Sequence, residues 1–280
     1  MKHQEGTFRG IRSSKIYYQT WLPEGEPKAS LLLVHGLAEH SGRYMNVVNH
    51  LVPAGYAAYG LDHVGHGKSD GDRVYVDRFE DYIVTLKAFF DMIREWQPEK
   101  PVFLIGHSMG GLIGAAYLLD HQNELAGAVL SGICVKIPDN ISQATIIMGK
   151  VLSIIAPKAG VVQLDANFVS RDPAVVDAYV NDPLVYTGKT TARLSAEMLK
   201  TMQLVTEQAH KIELPILLVQ GSDDKLVDPC GAELLYDTVG SEDKTIKLYD
   251  GLYHEVFNEP EQDQVLNDVQ TWLEAHQPEA

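Results

Sequence analysis

Cysteine is scarce in this 280-residue sequence, with only Cys134 and Cys230. No disulfide framework is expected, and both read as free thiols, small buried side chains in a reducing compartment. A basic surplus is missing too. The chain has 23 Lys and Arg against 38 Asp and Glu, a net charge of −15. Nucleic-acid binding needs a basic face, so that partner class is excluded. No run of about 18 apolar residues exists, so no membrane span is expected. The opening MKHQEGTFRG lacks the apolar core of a secretory signal, which points to the cytoplasm. Low-complexity tracts and fixed-period repeats are likewise absent.

What is present is a rhythm. Short apolar runs end in glycine or charge: ASLLLVHG (29–36), YAAYGLDHVGHG (56–67), PVFLIGH (101–107), LAGAVLSG (125–132), LPILLVQG (214–221) and KTIKLYDG (244–251). These read as strands, most of them buried. Phe8 to Ile11 and Ile16 to Leu22 look like two more, around the polar RSSK. Helical spacing runs from Asp81 to Trp96, through the apolar, alanine-rich stretch Leu112 to Leu119, and through Val265, Leu266, Val269, Trp272 and Leu273. Strands alternating with helices predict an α/β fold: a mostly parallel central sheet flanked by helices. Residues 136–212 break the rhythm. They show helical patterns and turns but no clear strand, and read as an insertion into a core made of 1–135 and 213–280. The insertion has eight Lys+Arg and seven Asp+Glu, a net +1 that leaves −16 on the rest.

The stretch GHSMGG (106–111) lies where a buried strand turns into a buried helix. A residue at so sharp a joint is strained, and glycines on either side relieve clashes. Its side chain stands clear, close to the positive end of the helix. Gly106-His107-Ser108-Met109-Gly110 is therefore a candidate nucleophile elbow with Ser108 at its tip. A second match, Gly67-Lys68-Ser69-Asp70-Gly71, is followed by Asp72 and Arg73 rather than a helix, and reads as a solvated loop. Gly67-Lys68-Ser69 also brushes against a phosphate-binding loop, but Asp62 stands where the upstream glycine is required.

A serine needs a base, and the base needs a carboxylate to orient it. In this fold they follow the serine in the order acid, then histidine, each at the end of a later strand. The strand at 215–220 is followed by Asp223 and Asp224, and the strand at 245–249 by His254. Spacing leaves both aspartates open. His107 is expected to point away from Ser108. His63 and His66 are spaced like metal ligands, but nothing completes a zinc site. Neither metal nor cofactor is expected. The oxyanion needs two N–H donors, assigned to the residue after the serine, Met109, and to the loop after the early strand, at Leu37.

Together HGLAEHSGRY (35–44), DHVGHGKSDG (62–71), GHSMGG (106–111), QGSDDKLVDP (220–229) and YDGLYHE (249–255) resemble the monoacylglycerol lipases and related lysophospholipases of the α/β-hydrolase fold. The likeness runs in order through nearly the whole chain. It implies a serine hydrolase acting on single-chain lipid esters, with Ser108 as nucleophile, His254 as base, Asp224 rather than Asp223 as acid, and Leu37 and Met109 as oxyanion donors. Relatives often have a small residue at position 37, so Leu37 is expected to narrow the acyl path. The insertion corresponds to the family's cap and matches only loosely. Substrate alternatives are lysophospholipids and simple carboxylic esters. A lipid-binding protein that keeps the fold without the chemistry is the non-enzymatic alternative, and the complete triad argues against it. Within the cap, Ile141 to Ile155 reads as a helix apolar on nearly all sides. About 22 Å long at 1.5 Å per residue, it is too short to span a bilayer. Ile147, Val151 and Ile154 are its candidates for substrate or membrane-surface contact.

Overall fold

The computed structural model describes residues 1–137 and 142–278. The strands are β1 (Lys2–Arg9), β2 (Lys15–Leu22), β3 (Ala29–Val34), β4 (Tyr56–Leu61), β5 (Val102–His107), β6 (Gly127–Ser131), β7 (Gly160–Val162), β8 (Thr190–Thr191), β9 (Ile216–Gly221) and β10 (Lys244–Tyr249). The helices are α1 (Met45–Leu51), α2 (Glu80–Trp96), α3 (Met109–His121), α4 (Gln143–Ile155), α5 (Pro173–Asn181), α6 (Ala192–Gln208), α7 (Cys230–Thr238) and α8 (Gln262–Ala275).

Eight strands form one sheet in the order β1-β2-β4-β3-β5-β6-β9-β10. β1–β2 and β2–β4 pair antiparallel, and every later neighbour is parallel. The central strands β3, β4, β5, β6 and β9 are buried along their whole length. Alternate side chains of a strand leave on opposite faces. In β5, Val102 and Leu104 join a core shared with α2, α3 and α6, while Phe103 and Ile105 join a second core against α1 and α8. The apolar spacing of the sequence thus becomes a sheet covered on both faces.

Three features differ from the sequence expectation. The first strand is Lys2–Arg9 rather than Phe8–Ile11, because this edge strand is largely exposed and polar and has no apolar alternation to read. The 136–212 stretch contains a small ribbon, β7 against β8, too short to show a period. Cys230 is exposed and Cys134 half-buried, so neither is the fully buried small residue expected.

The expected helix from Ile141 begins outside the described residues at its first position. Within them, Ser142 caps α4 by accepting from the Thr145 N–H. α4 packs on α6, whose Leu194, Met198, Met202 and Val205 reach into the main core beside α3. Among the described residues no helix is long and apolar enough to cross a membrane.

Candidate active site

Ser108 links β5 to α3 with φ 54° and ψ −119°, a conformation that costs energy for any non-glycine residue. Its N–H donates to the Ser131 carbonyl at 2.9 Å, and its own carbonyl accepts from Leu112 at 3.1 Å, which fixes the turn on both sides. A Cβ on Gly106 would stand 2.6 Å from the Gly110 oxygen, and one on Gly110 only 2.0 Å from the Val34 oxygen. Both glycines are therefore steric requirements of the joint.

Asp224 follows β9 and His254 follows β10. His254 Nδ1 donates to Asp224 Oδ2 at 2.7 Å. The same Oδ2 accepts from Gln220 Nε2 at 2.9 Å, while Oδ1 accepts the N–H groups of Leu226 (2.9 Å) and Val227 (3.1 Å). Burial would raise the Asp224 pKa, but His254 and these backbone donors outweigh it and hold it below the ordinary value. Burial opposes the His254 cation too, yet the Asp224 charge and hydrogen bond, with Glu255 and Glu39, raise its pKa above 6.5. Asp223 is exposed; its carboxylate accepts from the neighbouring Ser222 hydroxyl at 3.4 Å, and its N–H donates to the Leu252 carbonyl at 3.0 Å.

The loop carrying Leu37 is clamped. Gly36 donates its N–H to Glu39 Oε1 at 2.7 Å, and its carbonyl meets His35 Nδ1 at 2.7 Å. In a trans peptide the following N–H, that of Leu37, points away from that carbonyl's partner. Met109 is the first residue of α3, so its N–H is one of the helix's unpaired first-turn donors.

The other sequence candidates fall elsewhere. Ser69 is buried rather than in a solvated loop: its hydroxyl donates to the Asp62 carbonyl (2.6 Å) and accepts the Tyr17 N–H (2.9 Å). Only its neighbours, Lys68 and residues 70–73, are exposed. Its hydroxyl is committed to the fold. His63 and His66 are buried beside His35, and among the described residues no group of three His, Cys, Asp or Glu is arranged to hold a metal. His107 is buried with its ring centroid 4.6 Å from that of His254, and burial, then the nearby His254, push its pKa down to about 4. It is a neutral plate against the other imidazole.

Ser108 and His254 border two spaces that share Leu37, Leu164 and Leu226. The larger, an apolar cavity of about 200 Å³, is also lined by Cys134, Val162, Met198, Leu199, Met202 and Val227, with Thr190 and Ser195 as further polar residues. The smaller, of about 20 Å³, adds Gly36, Glu39, His107, Val169, Tyr179 and Glu255 to the shared residues. Leu164 and Tyr179 also wall an outer cleft of about 400 Å³ containing Gln163, Asp165, Tyr186 and Thr187. Sequence reasoning missed Met198 and Met202; their spacing of four puts them on one face of α6, a signal that reads equally well as core. Cys134 had no signal beyond following a strand.

Ile147, Val151 and Ile154 do not line the apolar cavity. They are 60%, 51% and 75% exposed on the outer face of α4, beside the exposed Met148 and Ile155.

A serine on a strained strand-to-helix joint, with an Asp–His pair at the ends of later parallel strands, defines the serine hydrolases of the α/β-hydrolase fold. Residues 25–261 match the family described as serine aminopeptidase, S33, and the chain belongs to that family. Within it the chain groups with ester hydrolases. It is 40% identical to a monoacylglycerol lipase of Mycolicibacterium smegmatis over 97% of both chains. It is 32% identical to phospholipase YtpA of Bacillus subtilis over 92% of this chain and 99% of the relative. The crystal structure of a Paleococcus ferrophilus monoacylglycerol lipase superposes with a TM-score of 0.81 at 30% identity, covering 99% of this chain and 100% of that one. The chain is a serine ester hydrolase of the monoacylglycerol-lipase type.

Proposed function

We propose that the enzyme hydrolyses monoacylglycerol to glycerol and fatty acid through an acyl-enzyme on Ser108. His254 takes the Ser108 proton as Oγ attacks the ester carbonyl. Asp224 holds the imidazole tautomer and stabilises the imidazolium. The Leu37 and Met109 N–H groups receive the oxyanion. His254 then gives its proton to the leaving glycerol oxygen, and a water deacylates Ser108 by the same route. The acyl chain occupies the apolar cavity, and the glycerol lies toward the polar pocket and cleft. No cofactor enters the cycle.

The observation that carries this reading is a mostly apolar cavity beside Ser108 and a surrounding lining without cations. No Lys or Arg is among the residues lining the apolar cavity, the small pocket or the outer cleft. A neutral polyol suits that lining, while a phosphate headgroup would meet Asp165 and the Glu39–Glu255 pair, which its single counter-ion Arg43 leaves net negative. This favours monoacylglycerol over lysophospholipid, the alternative single-chain lipid ester.

Residues 136–212 act in this reading as a cap over a core of 1–135 and 213–280. The exposed aliphatic face of α4 rests on a lipid surface as a monotopic helix does, at the periphery of a membrane. The near-neutral cap can approach anionic lipid from which the acidic remainder is repelled. A panel of monoacylglycerols, lysophospholipids, di- and triacylglycerols and nitrophenyl esters tests the assignment. Monoacylglycerol should give the highest kcat/KM, and a lysophospholipid ahead of it would overturn the choice.

A further inference from the structure

One buried charged network joins the two halves of the machinery proposed above and is used by neither. Arg43 lies in the turn Ser41–Tyr44, just before α1. Its Nη1 donates to Glu39 Oε2 at 2.8 Å and to Glu255 Oε1 at 2.6 Å, and its Nη2 donates to Glu255 Oε2 at 2.7 Å. The Tyr179 ring covers the guanidinium at 4.6 Å. The three charged side chains are only 10%, 5% and 5% exposed for Arg43, Glu39 and Glu255.

Each carboxylate touches one catalytic loop. Glu39 Oε1 accepts the Gly36 N–H at 2.7 Å and the Tyr44 hydroxyl at 3.0 Å, so it anchors the residue before Leu37. Glu255 is the residue after His254, and its backbone N–H donates to the Val169 carbonyl at 2.8 Å. Arg43 therefore ties the oxyanion loop to the base through one bond to Glu39 and two to Glu255. Two carboxylates and one guanidinium also leave a net charge of −1.

Stability is a poor explanation for such a network. Burying paired charges costs desolvation energy that their attraction barely repays, and an unbalanced set is worse. A surplus negative charge is useful where positive charge develops. Here that place is His254, which becomes an imidazolium as it takes the serine proton. The groups facing His254 are Asp224, Ser108, the neutral His107 ring, the Cys134 thiol, Tyr179 and the carboxylates of Glu39 and Glu255. Arg43 does not line either space beside Ser108; with both glutamates and His107 it borders another small cavity.

We propose that Glu39, Arg43 and Glu255 are positioning residues that lock the oxyanion loop to the base and turn the local field toward the imidazolium. The inference rests on His254 being the base. It gains support from the direction of the His254 shift, to which both glutamates contribute.

The test is the pH profile of hydrolysis of a water-soluble nitrophenyl ester by Glu255→Gln and Glu39→Gln. Each substitution keeps an oxygen acceptor and the side-chain shape but removes the charge. The acid limb of kcat/KM should move to lower pH by about half a unit to one unit, and plateau kcat should fall up to about tenfold with KM nearly unchanged. Glu39→Ala, which also frees Gly36, should lose more kcat than Glu39→Gln. Asp120→Asn, at an exposed carboxylate on α3, should change nothing. An unmoved acid limb in both glutamine variants overturns the proposal. So does a kcat loss that only follows a loss of Tm, or failure of both variants to fold. If His254→Ala keeps its activity, the assignment of the base fails instead.

Discussion

Around Ser108 the chain has almost no freedom, whereas along α4 it leaves aliphatic side chains in the open. At the joint, two glycines, a strained φ and backbone bonds from Ser131 and Leu112 admit one arrangement. On α4, Ile147, Met148, Val151, Ile154 and Ile155 are each more than half exposed, and only Ile146 and Ser153 are buried. Rigid geometry suits bond-making, where an error of about 1 Å costs orders of magnitude in rate. An exposed apolar face suits a soft, variable partner such as lipid. In the proposed reading chemistry and docking lie in different parts of one molecule and should fail separately.

Ser108→Ala should break the first region alone. Its kcat should fall by several orders of magnitude, on the order of 10⁶ as in other triads, with Tm little changed. Vesicle binding through α4 should survive intact, as co-sedimentation will report.

Asp224→Asn should come next, at about 10⁴ in kcat, since the histidine loses its tautomer and its imidazolium partner. Asp223→Asn should have little effect. A larger loss from Asp223→Asn would mean that the Asp224–His254 bond is not the productive one. The pH profile sharpens this pair. The base must be neutral, and the His254 pKa is raised above 6.5. Activity in the wild type should therefore rise with pH through a limb above 6.5, and Asp224→Asn should bring that limb down. The linkage to folding has two signs. The raised His254 contributes stability that is present below about 6.5 and lost as pH climbs through its folded value. The lowered Asp224 contributes stability present above its ordinary value of 3.8 and lost as pH falls through its folded value.

The second region is broken by changing Ile147, Val151 and Ile154 together to Ser. Burying three aliphatic side chains gains roughly 1.5–3 kcal/mol each, less the cost of association, which fits weak reversible binding. The variant should lose vesicle binding and about tenfold or more of its activity on long-chain monoacylglycerol, while keeping most activity on a soluble nitrophenyl ester. If soluble-ester activity and Tm collapse as well, the face belongs to the core and the docking idea fails.

The same contrast explains what was legible in the sequence. The central strands and the elbow follow from side-chain period and steric demand, so Gly106, Ser108 and Gly110 could be read without coordinates. Asp223 and Asp224 could not be separated by spacing, because they differ in burial and partners rather than position. β1 escaped because an exposed edge strand has no apolar alternation, and β7–β8 because two or three residues have no period. Ser69 misled because polar neighbours hid a buried hydroxyl bonded to Asp62 and Tyr17. The cavity walls Met198 and Met202 look like core from sequence because they are core-like side chains that happen to border a void. Ile147, Val151 and Ile154 could be recognised as apolar, but which way they face is a property of packing between α4 and α6.

The account turns on which serine forms the covalent intermediate. A serine-directed phosphonate, followed by peptide mass mapping, measures this directly. The adduct should appear on the peptide containing Ser108, in proportion to lost esterase activity, and be absent from Ser108→Ala. An adduct at Ser69, or full labelling of Ser108→Ala, would contradict the account.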